Sequence, residues 1–326
     1  MIDTLTWLFP DYQKLSSLVK KHDNAHGILL IGPPGIGKRI MAFELAGDFL
    51  NTDKLKIKIN QENQLDIFHP DCNLICPEEN KTSISIDKIR SLKSSLELTS
   101  HQGNGKVGII YPAESMTLSA ANSLLKILEE PPDETLLILI TESAKKLPDT
   151  VVSRMQNHNV KKPTAEETIQ WLNNNQTEEN WKEIIDLFGS LPLLFSELGY
   201  EFLNAKINST IKDINALILK KSKPSEIATI WVKADLEIAL KILYVLISNL
   251  ITRSLIKTEI EEKYIPQSLE QFIDSKLNYE KCFNYLNEIA NMRQHLLKGK
   301  GLNWNLQINN LLTPIYSELN GLMQHG

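Results

Sequence analysis

Ile28-Leu29-Leu30-Ile31-Gly32-Pro33-Pro34-Gly35-Ile36-Gly37-Lys38-Arg39 decides how this chain folds. The apolar run Ile28–Ile31 predicts a short buried strand, stopped by the glycines and prolines that follow it. Beyond them Ala42, Leu45, Ala46 and Phe49 recur at i, i+3, i+4 and i+7, which puts them on one face of a helix. A G-x-x-x-x-G-K pattern between a strand and a helix is the form of a phosphate-binding loop. Its backbone N–H groups turn inward, the lysine adds charge and the helix N-terminus adds its dipole. Gly32, Pro33, Pro34, Gly35, Ile36, Gly37, Lys38 and Arg39 are therefore the candidate nucleotide site.

The end of that motif departs from what hydrolysis requires. A Ser or Thr hydroxyl belongs where Arg39 stands, to ligate Mg²⁺, and a guanidinium cannot ligate a cation. The second apolar run, Val107–Tyr111, should end in an Asp for the metal and a Glu to orient water. Here the chain continues Tyr111-Pro112-Ala113-Glu114. Glu114 is read either as a helix-start carboxylate or as a displaced catalytic group. Phosphoryl transfer depends on positioning and on metal neutralisation of developing charge, so losing both contacts leaves little catalysis. The loop still leaves room for ATP or ADP held without hydrolysis, and no cofactor is required.

Outward from the loop, a helix from about Ser119 aligns Ala121, Leu124, Leu125 and Leu128, and Pro131-Pro132 must end it. The apolar run Leu136–Ile140 follows. Strands alternating with helices predict a parallel sheet with helices on both faces. Beyond Pro163 the strand signals vanish. Residues 164–205 read as short helices around Trp171, Trp181 and Leu187, broken at Gly189 and Pro192. Residues 208–326 read as longer helices, with Ile227–Ile256 the longest and Tyr279–Leu297 another.

A chain of 326 residues predicts two or three domains at ~150 residues each. With 42% hydrophobic and 23% charged residues, global disorder is excluded. A net charge of −5 means that any nucleic-acid contact is local or held by other subunits. Three cysteines make no disulfide framework and suggest a reducing compartment. The N-terminus lacks the basic start and apolar core of a secretory signal. The most apolar uncharged run, Ile242–Thr252, is short of the ~20 residues that span a membrane. A soluble, cytoplasmic protein without a membrane partner is expected.

Taken together, the motifs resemble the clamp-loader branch of the AAA+ ATPases of bacterial DNA polymerase III. The matching stretches are His26-Gly27 with the phosphate loop, His69-Pro70-Asp71, Ser85–Arg90, Thr99–Lys106, Ala120–Pro132, Lys146-Leu147-Pro148 and Val151-Val152-Ser153-Arg154. Ala120–Pro132, reading AANSLLKILEEPP, is specific to this branch; the loop alone is not. The resemblance implies an α/β AAA+ base over 1–162, a helical lid over 163–207 and an all-α collar for oligomerisation over 208–326. It implies a hetero-pentamer with motor (gamma/tau) and delta subunits that places a sliding clamp on primer-template DNA, without sequence specificity.

Within that family a subunit lacking its own metal contacts acts as a non-hydrolysing stator, with no ATPase activity of its own. The complex is classed with DNA-directed DNA polymerase. By the same resemblance Ser153-Arg154-Met155 stands where the family has Ser-Arg-Cys. Arg154, with Ser153 beside it, would then be an arginine finger acting in trans on the neighbour's ATP site; the other reading of Arg154 is a surface arginine in a local salt bridge. Pro192 falls where motor subunits carry a γ-phosphate-sensing arginine. The four-cysteine zinc module common in this branch is not expected, because 50–68 has no cysteine and His69, Cys72 and Cys76 are one ligand short.

Two other readings stand beside this one. The first is a motor ATPase with an unusual magnesium site built from Glu114 or Glu142. The second is a stand-alone DNA-binding protein using Lys88, Arg90, Lys93 and His101, charges that also suit a solvated helix face.

Overall fold

Ile28, Leu29 and Leu30 are fully buried in strand β1 (Gly27–Ile31). The computed structural model describes residues 2–20, 26–52, 56–59, 65–78, 81–175, 179–255, 278–297 and 301–317. Around β1 a five-stranded sheet forms in the order β4 (Cys72–Ile75), β5 (Lys106–Ile110), β6 (Thr135–Thr141), β1, β7 (Gln156–Asn159), with every adjacent pair parallel. β6 lies in the middle and each of its residues is buried, as a strand covered on both faces requires. Its register runs from Gly27 opposite Leu137 to Ile31 opposite Thr141 on one side. On the other it runs from Lys106 opposite Thr135 to Ile110 opposite Leu139. A separate antiparallel pair joins β2 (Lys56–Ile59) to β3 (Leu65–Phe68).

Alternation along the strands separates the two faces. Leu29, Ile110, Leu137 and Leu139 form one core with Ile89, Leu92 and Leu96 of α3 (Ile86–Glu97) and Ala121, Leu124 and Ile127 of α4 (Leu118–Glu129). Ile28, Leu30, Ile109, Ile138 and Ile140 are fully buried outside that core, and strand period two points them to the opposite face. There α2 (Lys38–Phe49) packs on β1, β5 and β6, with α1 (Phe9–Lys20) against α2. The expected α/β base with helices on both faces is the architecture found.

α4 starts where the sequence places it. Thr117 caps it by accepting from the Ala120 N–H at 3.2 Å, and it ends at Glu129, before Pro131. β5 stops at Ile110 rather than Tyr111, and the Tyr111–Pro112 peptide that follows is cis.

The chain divides into two units: Met1–Thr177 with Ser190–Leu194, and Glu178–Gly189 with Phe195–Gly326. The first also holds α5 (Asp149–Val152) and α6 (Ala165–Asn175). The second is helical among its described residues: α7 (Lys182–Phe188), α9 (Tyr200–Ile218), α10 (Pro224–Lys233), α11 (Leu236–Leu255), α12 (Tyr279–Leu297) and α13 (Trp304–Tyr316). α8 (Pro192–Leu198) begins in the first unit and ends in the second. Pro192 therefore opens a helix rather than breaking one, the first-turn position where its missing N–H costs nothing.

The single helix expected over Ile227–Ile256 is two helices. Ala234 leaves helical geometry at φ −99°, ψ −135°, and Asp235, paired with Lys206, precedes a new start at Leu236. Ile256 lies outside the described residues. Among the described residues α11 is the one helix long and apolar enough to cross a membrane. Leu240, Ile242, Leu243, Leu246, Ile247 and Leu250 on it are buried in the second unit, as in a soluble core helix.

Candidate functional site

The phosphate loop joins β1 to α2, as its motif requires. Gly35 at φ +73° and Gly37 at φ +99° occupy backbone conformations that side chains rarely adopt. A Cβ on Gly35 would lie 2.7 Å from the Leu194 Cβ, and one on Gly37 would lie 2.6 Å from the Leu8 Cδ1. The loop is thus packed from two sides. Trp7 donates its indole N–H to the Ile36 carbonyl at 2.9 Å, and the Leu193 N–H donates to the Gly35 carbonyl at 3.0 Å. Pro192, next to Leu193, is buried. None of these contacts has a local sequence signal, because their partners come from distant segments.

Lys38 is 5% exposed and turns its ammonium back onto the loop, donating to the Gly32 and Pro33 carbonyls. Burial lowers the amine to about 8, with Glu142 and Glu114 pulling the other way. Arg39 swings out of the loop, its guanidinium carbon 5.1 Å from the centroid of the Tyr111 ring. Burial pushes the Tyr111 phenol up, against the opposing charge of Arg39. The two positions at which a hydrolysing site would carry its metal ligands therefore hold a cation and a neutral ring, stacked on one another. These residues do not fit a magnesium ion, whose sites are built from carboxylate, hydroxyl and water oxygens.

Glu114 lies in the short turn Ala113–Ser115 after β5. Its Oε1 accepts from the Glu142 N–H at 3.2 Å and lies 3.9 Å from the Lys146 ammonium. Lys146 also bonds Glu142 Oε2 at 2.6 Å. Both carboxylates considered for an unusual metal site are thus engaged by one lysine, although Glu114 Oε2 is buried without a partner.

Asp71 of the His-Pro-Asp segment is fully buried. It accepts from the His101 N–H at 2.9 Å, the Gln102 N–H at 3.1 Å and the Ser100 hydroxyl at 3.2 Å, with the Lys106 ammonium 3.6 Å away. Two of the quoted motif stretches, His69-Pro70-Asp71 and Thr99–Lys106, are in this way one structural unit that orders the loop before β5. Cys72 is buried and its thiol is pushed up to about 12 by that burial. His69 Nδ1 accepts from the Asp71 N–H at 3.2 Å. Among the described residues no group of three His, Cys, Asp or Glu side chains gathers to hold a metal.

Three of the four side chains considered for DNA contact have local partners. Lys88 donates to the Cys76 carbonyl at 2.7 Å, Arg90 pairs with Asp87 at 3.4 Å and Lys93 with Glu97 at 3.5 Å. His101 is exposed.

Ser153 and Arg154 follow α5, at the opposite end of the motif order from the loop. Both are exposed, while Met155 next to them is buried in the core shared with Leu124 and Ile127. Arg154 Nη2 pairs with Glu129 at 2.9 Å, and Nη1 donates to the Thr150 carbonyl at 3.1 Å. The local salt bridge that is the other reading of Arg154 is therefore present, with Glu129 as the partner that the sequence did not name.

Comparison with known proteins agrees with this set of motifs. The model of the family described as "DNA polymerase III, delta subunit" matches residues 10–164. DNA polymerase III subunit delta' of Pseudomonas aeruginosa is 30% identical over 233 residues, covering 69% of this chain and 71% of that protein. The delta' subunit of Haemophilus influenzae is 24% identical over 322 residues, covering 96% and 97%. Among solved structures, a DNA polymerase III gamma subunit-related protein from Thermotoga maritima aligns with 93% of this chain and 99% of its own at TM-score 0.46 and 19% identity. With AANSLLKILEEPP, the loop and the Ser-Arg pair all in place, this chain belongs to the DNA polymerase III subunit delta' family.

Proposed function

We propose that this chain is the non-hydrolysing stator of a clamp loader, working in the cytoplasm on primed DNA. In this reading the three parts are an AAA+ base over 1–162, a lid over 163–207 and a collar over 208–326. It stands in a hetero-pentamer beside gamma/tau motor subunits and delta, and its Arg154 completes a motor's ATP site while its own loop turns nothing over.

The observation that carries this reading is the Arg39–Tyr111 stack, 5.1 Å apart, where metal ligands would be. Chemistry is removed at home, while the exposed Arg154 is a cation that a neighbour's γ-phosphate can reach. An arginine supplied in trans adds roughly 10³–10⁵ in rate where GTPases use one. Nucleotide without metal is not required for this role.

One observation favours a hydrolysing chain: Glu114 Oε2 is buried without a partner, near enough for its charge to act on Lys38. Against it, Lys146 neutralises Glu114 and Glu142 together. Phosphate release by the isolated chain separates the two. The stator reading expects no Mg²⁺-dependent turnover, and turnover abolished by Lys38→Ala would sink it. In the assembled complex Arg154→Ala is expected to abolish motor stimulation and clamp loading while assembly persists.

A further inference from the structure

Glu129 occupies a position that helix electrostatics disfavour. It is the last residue of α4, followed by Glu130 at the cap, so two carboxylates sit where the helix dipole is already negative. A residue that breaks a local rule is where function is expected to compensate. The compensation here is Arg154, whose Nη2 lies 2.9 Å from Glu129 Oε1.

The guanidinium is held on its other nitrogen as well, by the Thr150 carbonyl at 3.1 Å. Its footing is rigid. Met155 is buried in the same core as Ile127 and Leu124 of α4, and the Arg154 N–H bonds the Val151 carbonyl at 3.1 Å. A long, exposed arginine would otherwise sample many rotamers. Fastened through one N–H on each terminal nitrogen, it keeps its remaining donors for another acceptor.

We infer that Glu129 is a positioning residue for the Arg154 finger: its carboxylate, with the Thr150 carbonyl, holds the guanidinium as a preset fork for the neighbouring subunit's γ-phosphate. The inference rests on the assignment of Arg154 as the finger. Glu129 touches neither nucleotide nor the reacting atoms. It acts by removing the rotamer search that Arg154 would otherwise make in each cycle, which is how preorganisation raises kcat.

The test is steady-state ATP hydrolysis by the complete complex, with clamp and primed DNA, carrying Glu129→Gln, Glu129→Asp, Arg154→Ala or Glu129→Gln with Arg154→Ala. An exposed ion pair is a weak tether, so Glu129→Gln is expected to lower kcat about two- to fivefold with KM for ATP unchanged. Glu129→Asp should recover part of the loss, and Glu129→Gln should add nothing to Arg154→Ala. Wild-type or faster kcat for Glu129→Gln, beside lost activity for Arg154→Ala, overturns the positioning role alone. So does a Glu129→Gln loss that persists on the Arg154→Ala background. Wild-type kcat for Arg154→Ala overturns the finger assignment and this inference with it.

Discussion

The Arg39 guanidinium stacks over the Tyr111 ring at 5.1 Å, so the two positions that would normally share a metal ion share a cation–π contact instead. The pair also ties the start of α2 to the end of β5. Restoring one metal ligand alone then cannot restore a site. Arg39→Thr supplies a hydroxyl opposite a tyrosine, and the isolated chain is expected to stay without Mg²⁺-dependent phosphate release. The same substitution should cost about 0.5–1 kcal/mol of stability through the lost cation–π contact, read by denaturant unfolding.

Asp71 gives the clearest stability prediction. Burial alone would raise its carboxyl, but the His101 and Gln102 N–H groups, the Ser100 hydroxyl and Lys106 outweigh it and hold the carboxyl below its ordinary value. A depressed folded value means stability that is present above the unfolded pKa and lost as pH falls through the folded one. Asp71→Asn strands Lys106, itself 4% exposed, and should cost about 3–5 kcal/mol in urea unfolding at neutral pH. Its stability profile should lack the Asp71 part of the fall below about pH 4 that the wild type shows.

How far these features could be read from the sequence depends on the reach of the contact involved. β1, α2 and α4 were legible because periodicity and proline stops are local, and Arg39 signalled a missing hydroxyl by itself. Its partner was not legible. Tyr111 meets Arg39 only because β5 and β1 flank β6 in register, a fact about the sheet and not about either segment. The break at Ala234 was hidden for the opposite reason. Apolar residues continue in helical phase from Ile227 and Trp231 through Ala234 to Ile238 with neither Gly nor Pro between them, and Asp235 alone marks a new start. Glu129 was quoted inside a motif, yet its role depended on α5 returning beside the end of α4.

Lys38 makes the loop's stability depend on pH in the alkaline range. Its folded pKa of about 8 lies below the usual 10.5, with burial the main cause. At this group the folded chain therefore binds fewer protons than the unfolded chain between those values, and its contribution to stability rises with pH across that window. The rise should be on the order of 1–3 kcal/mol, and Lys38→Met should flatten it. A wild-type-minus-Lys38→Met stability difference that is level or falling from pH 8 to 10 would show that the ammonium is not desolvated on its two carbonyls, the comparison cancelling the opposite alkaline contribution of buried Cys72.

Gly35 and Gly103 separate backbone strain from packing. Their φ values are nearly equal, +73° and +77°, so alanine meets similar left-handed strain at both, about 1–2 kcal/mol. At Gly103 nothing lies within 4 Å of the added Cβ. At Gly35 the Leu194 Cβ lies at 2.7 Å and its backbone N at 3.1 Å, neither of them the yielding end of a long side chain. Gly35→Ala must push Leu194 away and strain the Leu193 N–H bond to the Gly35 carbonyl. It should cost about 1–3 kcal/mol more than Gly103→Ala in matched urea titrations. Equal losses would mean that residues 191–194 do not rest on the phosphate loop, and the loop would then be open to solvent on that side.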